Sequence, residues 1–448
     1  MEKILLVEDS RVIARMLAHR IVKKLGYEVE IAPSMAEAAK LLESQEGQYF
    51  AALLDLQLPD APNGEVVPMV KAKQIPVVIF TGQDNELVRD RYIEMGVVDY
   101  LLKKNLHEVD YLVRLLIRLK RNPAIGVLVI DDSAAARRII CDHLNILQFQ
   151  VFECDNAGAA TGILSKNRQI RLVIVDYILP DGNGGDLCAQ LRKTYARQDL
   201  VIIGISGQSE GKNSARFLKS GANDFLQKPF TSEEFQCRLI QNIEMWETTQ
   251  EIQENANRDY LTSLYNRRFF YRSVQKWYAN CARRHFSLTL AMIDVDFFKK
   301  VNDRYGHEAG DQVLRGIAQI LEAFFRESDI IARFGGEEFC IACVNLAPNQ
   351  AFTLFDKLRK KVQDTPIPSE QGNLHVSVSI GVCTFLGPDL TSMIQEADQQ
   401  LYQAKGNGRN RVCMAQNNPF PEHLQAAAEA SDEGDAPLPS DHFMGEGI

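Results

Sequence analysis

The chain of 448 residues is 46% hydrophobic and 24% charged, ordinary for globular domains, and roughly 150 residues per domain leads to an expectation of about three. Its formal charge of −9 is concentrated at one end: seven acids lie between Glu422 and Glu446 and no Lys or Arg follows Arg411, so residues 1–413 carry only −2. A segment that close to neutral excludes a nucleic-acid binder built on a basic surface, and no apolar run reaches the roughly 20 residues needed to span a bilayer.

The first apolar run, Ile4–Val7, is stopped by Glu8 and Asp9, so no secretory leader is expected. Nine cysteines, an odd number scattered over a long chain, point to free thiols in a reducing cytoplasm. Cys340 and Cys343 form a C-x-x-C within an apolar run. On a strand, positions i and i+3 face opposite sides, which argues against a zinc or redox site.

The chain then repeats itself. Lys3–Asp9 (KILLVED) is answered by Gly126–Asp132 (GVLVIDD), and Ala51–Asp55 (AALLD) by Leu172–Asp176 (LVIVD). Leu-Pro-Asp follows each, at Leu58–Asp60 and Leu179–Asp181. Val77–Gly82 and Val201–Gly207 end in a hydroxyl residue and Gly, and Asp99–Lys103 and Asp224–Lys228 end in Lys. These runs read as strands. Between them, Val12–Leu25 and Ala135–Leu147 carry apolar residues at helical spacing, which predicts βαβ units and a doubly wound parallel sheet. In such sheets the functional rim lies at the carboxyl ends of the strands, where the acids, the hydroxyl and the Lys all fall. Paired acids and a central Asp supply hard oxygens for one Mg²⁺. The central Asp can act as a carboxylate nucleophile toward a phosphoryl group, whose charge the metal and the Lys neutralise.

On these residues, 1–121 and 124–244 resemble response-regulator receiver domains, which implies two flavodoxin-like α/β domains. The resemblance implies one Mg²⁺ in each, held by Glu8, Asp9 and Asp55 and by Asp131, Asp132 and Asp176. It makes Asp55 and Asp176 the phospho-acceptors, and Thr81, Lys103, Ser206 and Lys228 the switch residues, with Tyr100 and Phe225 as switch aromatics. It also implies a cognate histidine kinase. Two departures touch the rim of the first copy. Gly64 lies five residues after Pro59, where Gly184 lies four after Pro180, and Lys104 stands where the second copy has Pro229.

Thr231–Arg258 contains neither Pro nor Gly, and Phe235, Leu239, Ile243 and Trp246 recur at helical spacing. The pattern predicts a receiver helix packed on its own domain and prolonged into a stalk over 245–258, with a two-stranded coiled coil as the functional reading.

Four blocks follow: Asp259–Arg268 (DYLTSLYNRR), Asp294–Leu314, Arg333–Phe339 (RFGGEEF) and Ala404–Asn410 (AKGNGRN). Ser287–Ile293 is a strand candidate that delivers Asp294. Ile330–Phe334 and Phe339–Val344 flank Gly335-Gly336 as a hairpin whose tip leaves room for a flat ligand. Glu337 is expected to meet Asp294 across the strands. Two carboxylates beside such a gap suggest a Mg²⁺–nucleotide site, with Lys299, Lys405 and Arg409 as triphosphate cations. Asn302 fits purine recognition, and Asp311 accepts from the N–H pair that guanine has and adenine lacks.

Residues 259–413 resemble a GGDEF-type diguanylate cyclase domain, here with GGEEF, an α+β fold akin to nucleotidyl cyclases and polymerase palms. The resemblance implies two Mg²⁺ held by Asp294, the Val295 carbonyl and Glu337, and phosphates held also at the backbone of Phe297 and Phe298. Glu338 completes the signature beside the reacting hydroxyl. The implied activity condenses two GTP into cyclic di-GMP and two pyrophosphates across a homodimer. Arg326 and Asp329, nine and six residues before Gly335, match the family's R-x-x-D inhibitory site for its product, with Lys357 or Arg359 as a helper. The order of domains resembles PleD-type response regulators. Residues 414–448, rich in Ala, Pro, Gly and acids, are expected to be a disordered acidic tail. The alternatives are a catalytically silent cyclic di-GMP scaffold and a phosphorelay adaptor. All three readings place the chain in the cytoplasm, without nucleic-acid or membrane partners.

Overall fold

A computed structural model describes residues 3–44, 49–104, 106–207, 213–284, 287–370 and 372–418. Of the expected tail, 419–448 lies outside the described residues. The chain divides into two compact units, Met1–Gln250 and Glu251–Ile448.

The first unit holds two five-stranded sheets. One runs Glu28–Ala32, Lys3–Val7, Tyr49–Leu54, Val77–Thr81, Asp99–Leu102; the other runs Gln150–Cys154, Gly126–Ile130, Ile170–Asp176, Val201–Ser206, Asp224–Gln227. All pairings are parallel, and both sheets have the order 2-1-3-4-5 of a doubly wound fold. Helices cover both faces, so the central strands are continuous apolar runs. Alternate residues divide between two cores: Ile4, Leu6 and Leu53 face one side, Leu5, Val7 and Leu54 the other.

The sequence describes two separate receivers; the structure joins them. One apolar core runs from Leu112 and Leu116 on the helix Leu106–Arg121 to Ile140, Leu144, Phe235 and Leu239 of the second copy. Polar contacts accompany it: the buried Gln236 side-chain amide donates to the Val98 carbonyl (3.1 Å), and Arg89–Glu233 and Arg118–Glu247 pair at 2.8 Å each.

A single helix spans Ser232–Asn257. Phe235, Leu239 and Ile243 are buried, as their spacing predicts. The receiver body continues past the expected boundary at 244. Trp246 packs half-buried on the receiver core with the Arg171 guanidinium 5.9 Å from its ring, and the Gln250 side chain donates to the Gln198 carbonyl. Ile252, further along, is exposed.

The second unit is built on a six-stranded sheet in the order Tyr265–Asn266, Ile330–Gly335, Glu338–Val344, Leu288–Val295, Val378–Cys383, Val412–Met414. The four central strands are antiparallel, and each edge strand is parallel to its neighbour. One face carries the helices His307–Phe324 and Pro348–Asp364, the other Arg267–Arg284 and Leu390–Gly406. Cys340 and Cys343 lie in these two opposite cores, and all nine cysteines are free thiols. Among the described residues no helix is long and apolar enough to cross a membrane.

Candidate functional site

At the carboxyl ends of the first receiver's strands, carboxylate oxygens of Glu8, Asp9 and Asp55 lie within 4.8 Å of one another. Among the described residues this is the only such cluster of metal-ligating groups. The Lys103 ammonium bridges Glu8 and Asp55, at 2.6 Å from each. Burial raises the Glu8 pKa, against the pull of Lys103. In the second receiver Lys228 bridges Asp131 and Asp176, again at 2.6 Å from each, while Asp132 is exposed. Burial raises the Asp176 pKa; Lys228, though burial opposes it, is raised by its two carboxylate partners.

Thr81 and Ser206 are buried at their strand ends, and each backbone carbonyl accepts from the amide of its Lys (2.8 Å in both). The switch aromatics differ. Tyr100 is buried, and its hydroxyl donates to the Gln83 carbonyl at 2.7 Å; Phe225 is half-buried against Phe217. The two departures also have local causes. A Cβ on Gly184 would lie 2.2 Å from the Asp176 carbonyl, whereas one on Gly64 would meet the Tyr92 hydroxyl, so these glycines answer different neighbours. Lys104, in place of Pro229, pairs with Asp84. The repeated Leu-Pro-Asp has a role that the motif alone did not disclose. Asp60 accepts from the amides of Met35 and Ala36, and Asp181 from those of Ala157 and Gly158, so each caps the start of a helix.

In the second unit, Asp294 ends the strand Leu288–Val295 and is buried. Its register partner on the neighbouring strand is Glu338, not Glu337; Glu337 instead accepts, through its backbone carbonyl, from the Val295 amide at 3.3 Å. Glu337 lies in the turn just before that strand begins at Glu338, so it meets Asp294 from beside the ladder rather than across it, close enough for the Asp294 charge to raise its pKa. Burial raises the pKa of Asp294, Glu337 and Glu338, and the Asp294 charge adds to the rise at both glutamates. Lys405 from the end of the helix Leu390–Gly406 pairs with Asp294 at 2.7 Å. The Gly335-Gly336 turn is exposed, with Gly336 at φ +49°, and nothing lies within 4 Å of a Cβ built on either glycine.

Asp296 has a different task. Its carboxylate accepts from the Ser377 and Ser379 hydroxyls (2.6 Å each) and from the Asn410 amide (3.0 Å), fastening the segment that carries Lys405 and Arg409. These partners lie 81 to 114 residues away, beyond any local spacing. The Arg409 guanidinium sits 4.6 Å from the exposed ring of Phe297, which takes φ +57° as it enters the helix Phe298–Tyr305. Lys299 is exposed and Phe298 buried on that helix. Asn302, on the same helix, has a buried side-chain oxygen without a protein partner, and Asp311 stands half-buried on the next helix.

Arg326 is exposed, and its amide donates to the Asp329 carboxylate at 3.1 Å. Burial raises the pKa of Asp329, which also accepts from the Cys343 thiol. Arg359 is engaged with Asp356, Gln363 and Asn410, while Lys357 is exposed.

The response regulator receiver domain model matches residues 4–113 and 127–240, half of the chain, and the diguanylate cyclase GGDEF domain model matches 256–411. The chain is 27% identical to the response regulator PleD of Caulobacter vibrioides, over 92% of its own length and 98% of that protein's. Diguanylate cyclase A of Treponema denticola is 42% identical over 30% of this chain and 36% of its own length. A solved response regulator/GGDEF domain protein superposes with a TM-score of 0.52 at 42% identity, covering 55% of this chain and all of that one. The chain therefore belongs to the PleD-type response regulators, in which receiver domains precede a GGDEF domain of the diguanylate cyclases.

Proposed function

We propose that the chain is a phosphorylation-controlled diguanylate cyclase that condenses two GTP into cyclic di-GMP with release of two pyrophosphates. The observation that carries this reading is the convergence of Asp294, Glu337 and Glu338 beside an exposed Gly-Gly turn, with Lys405 on one flank. Three oxygen-donor carboxylates, all raised in pKa by burial and the two glutamates further by the Asp294 charge, fit divalent cations. Asp294, Glu337 and the Val295 carbonyl would hold two Mg²⁺, which stabilise charge on the attacking and leaving oxygens when bound.

The chain's own residues do the rest. Asn302 presents an unsatisfied acceptor, which an N–H on the guanine edge would fill. Asp311 accepts from the base as well. Lys299, Lys405 and Arg409, with the backbone at Phe297 and Phe298, take the phosphates. The open turn lets GTP lie against the backbone at Gly335 and Gly336, and Glu338 borders the ribose. Each 3′-hydroxyl loses its proton and forms a new bond to the α-phosphorus of the other GTP, while the bond from that phosphorus to pyrophosphate breaks. One such domain holds one GTP, so two must face each other, and most of the rate comes from positioning.

The receivers would bring the second half-site, the cyclase domain of another copy, into reach. A phosphoryl group from a histidine kinase on Asp55 or Asp176 would favour a homodimer and raise the effective concentration of the facing domain. Arg326 and Asp329, with Lys357, would bind the product as an inhibitor. Purified chain supplied with GTP and Mg²⁺ should yield cyclic di-GMP by mass; pyrophosphate release without that product would overturn the reading.

A further inference from the structure

The Gly335-Gly336 turn carries the catalytic edge, yet packing does not hold its tip, and the strand ladder reaches it only at Gly335, paired with Glu338. The turn is exposed, no atom lies within 4 Å of a Cβ built on either glycine, and the pairing is irregular between Arg333 and Gly335. One side chain grips it. Arg333, only 10% exposed, donates from Nε and Nη2 to the Gly336 carbonyl, at 3.0 and 2.7 Å. Its remaining arm, Nη1, donates to Asp259 at 3.0 Å.

Asp259 is itself held. Its Oδ1 also accepts from the Thr262 amide (3.0 Å) and hydroxyl (2.7 Å), and its amide donates to the Leu264 carbonyl (2.7 Å). The residues around it fasten the last turn of the helix Ser232–Asn257. The Asn266 side chain donates to the Ala256 and Arg258 carbonyls, at 2.7 and 3.3 Å, and Arg272 donates to Asn257 at 2.9 Å. Asn266 also stands in register with Arg333 across the edge of the sheet. Each link from the end of the helix to the Gly336 carbonyl is therefore a hydrogen bond or a ladder pair.

We propose that Asp259 and Arg333 form a positioning relay that fixes the Gly335-Gly336 turn, and Glu337 with it, from the end of the helix Ser232–Asn257. The inference rests on the proposed function, since it concerns the geometry of the same site. Only a guanidinium spreads its donors over a rigid planar fork that reaches Asp259 and the Gly336 carbonyl together; an ammonium in its place is a point charge. Neither residue need touch GTP; the relay acts through the turn it holds, chiefly on turnover by way of Glu337 and more weakly on binding at the Gly335 and Gly336 backbone.

The test uses the full chain. Arg333→Lys should lower kcat about ten- to hundredfold, the range expected for losing charge-assisted contacts, with any rise in the dissociation constant for GTP smaller than the fall in kcat. Amide exchange over 335–338 should quicken, with the melting temperature within a few degrees of wild type. Asp259→Asn, nearly isosteric, should move the same quantities less far, and the double variant should be no worse than Arg333→Lys because both act through one link. Unchanged exchange over 335–338, or an unchanged kcat, in Arg333→Lys would overturn the relay. A wild-type chain that makes no cyclic di-GMP would overturn the proposed function instead, and exchange would still decide the relay.

Discussion

Gly310 offers a way to move Asn302 without touching it. A Cβ on Gly310 would lie 1.9 Å from the Asn302 side-chain oxygen and 3.1 Å from both its Cγ and the tip of Phe298. The amide must swing away, and it does so cheaply, because the displaced oxygen has no protein partner to lose. Gly310 lies within the helix His307–Phe324, where Ala is favoured over Gly by about 1 kcal/mol. Fold stability in Gly310→Ala should therefore stay within about 1 kcal/mol of wild type. The loss falls on the ligand. One hydrogen bond to the base is worth about 0.5–1.5 kcal/mol net, or about a two- to thirteenfold weaker affinity for GTP. Titration calorimetry with a non-reactive GTP analogue measures it directly. Asn302→Ala should weaken binding to a similar degree, and the two changes together should not add, since both remove one contact. Wild-type affinity in Gly310→Ala would refute the assignment of Asn302 to the base.

Asp294→Ala or Glu337→Ala should abolish cyclic di-GMP synthesis while the receivers still fold; turnover within about threefold of wild type would reject their catalytic role, since a lost metal carboxylate costs far more. Beryllofluoride should raise activity and shift the chain toward a dimer, and Asp55→Asn and Asp176→Asn, tested separately by light scattering and turnover, should reveal which receiver responds; a response surviving both changes would dismiss these acceptors. Arg326→Ala should weaken cyclic di-GMP binding about ten- to hundredfold, as expected for a forked charged contact, and leave the Michaelis constant for GTP nearly unchanged, measured by calorimetry and initial rates. The backbone amides that cap onto Asp60 and Asp181 lower both carboxyl pKa values. Their stabilisation is then present above the unfolded carboxylate value of about 3.9 and is lost as pH falls through the lower folded values. Asp60→Asn and Asp181→Asn should flatten that part of an acid-unfolding curve, and curves that superpose on wild type would show the caps to be idle.

Much of this protein is written locally. The apolar runs that end at Glu8, Asp55, Asp131 and Asp176 specify buried parallel strands. Since Cβ atoms alternate across a strand and functional groups collect at strand ends, both the sheet and its rim can be read without coordinates. The repeat makes that reading twice over, and the Gly-Gly turn between two apolar runs identifies the hairpin. What the sequence leaves open depends on partners far apart in the chain. Register between two strands distant in the chain places Glu338 opposite Asp294, with Glu337 beside it in the turn. Asp296 spends its charge on Ser377, Ser379 and Asn410, and Arg333 divides its donors between Asp259 and Gly336. The core shared by the two receivers and the seating of Trp246 belong to the same class. Spacing reports which residues share a face of one element, because helix and strand periods are local. Which element that face meets, and which of several polar partners takes a given carboxylate, is settled only when the chain packs.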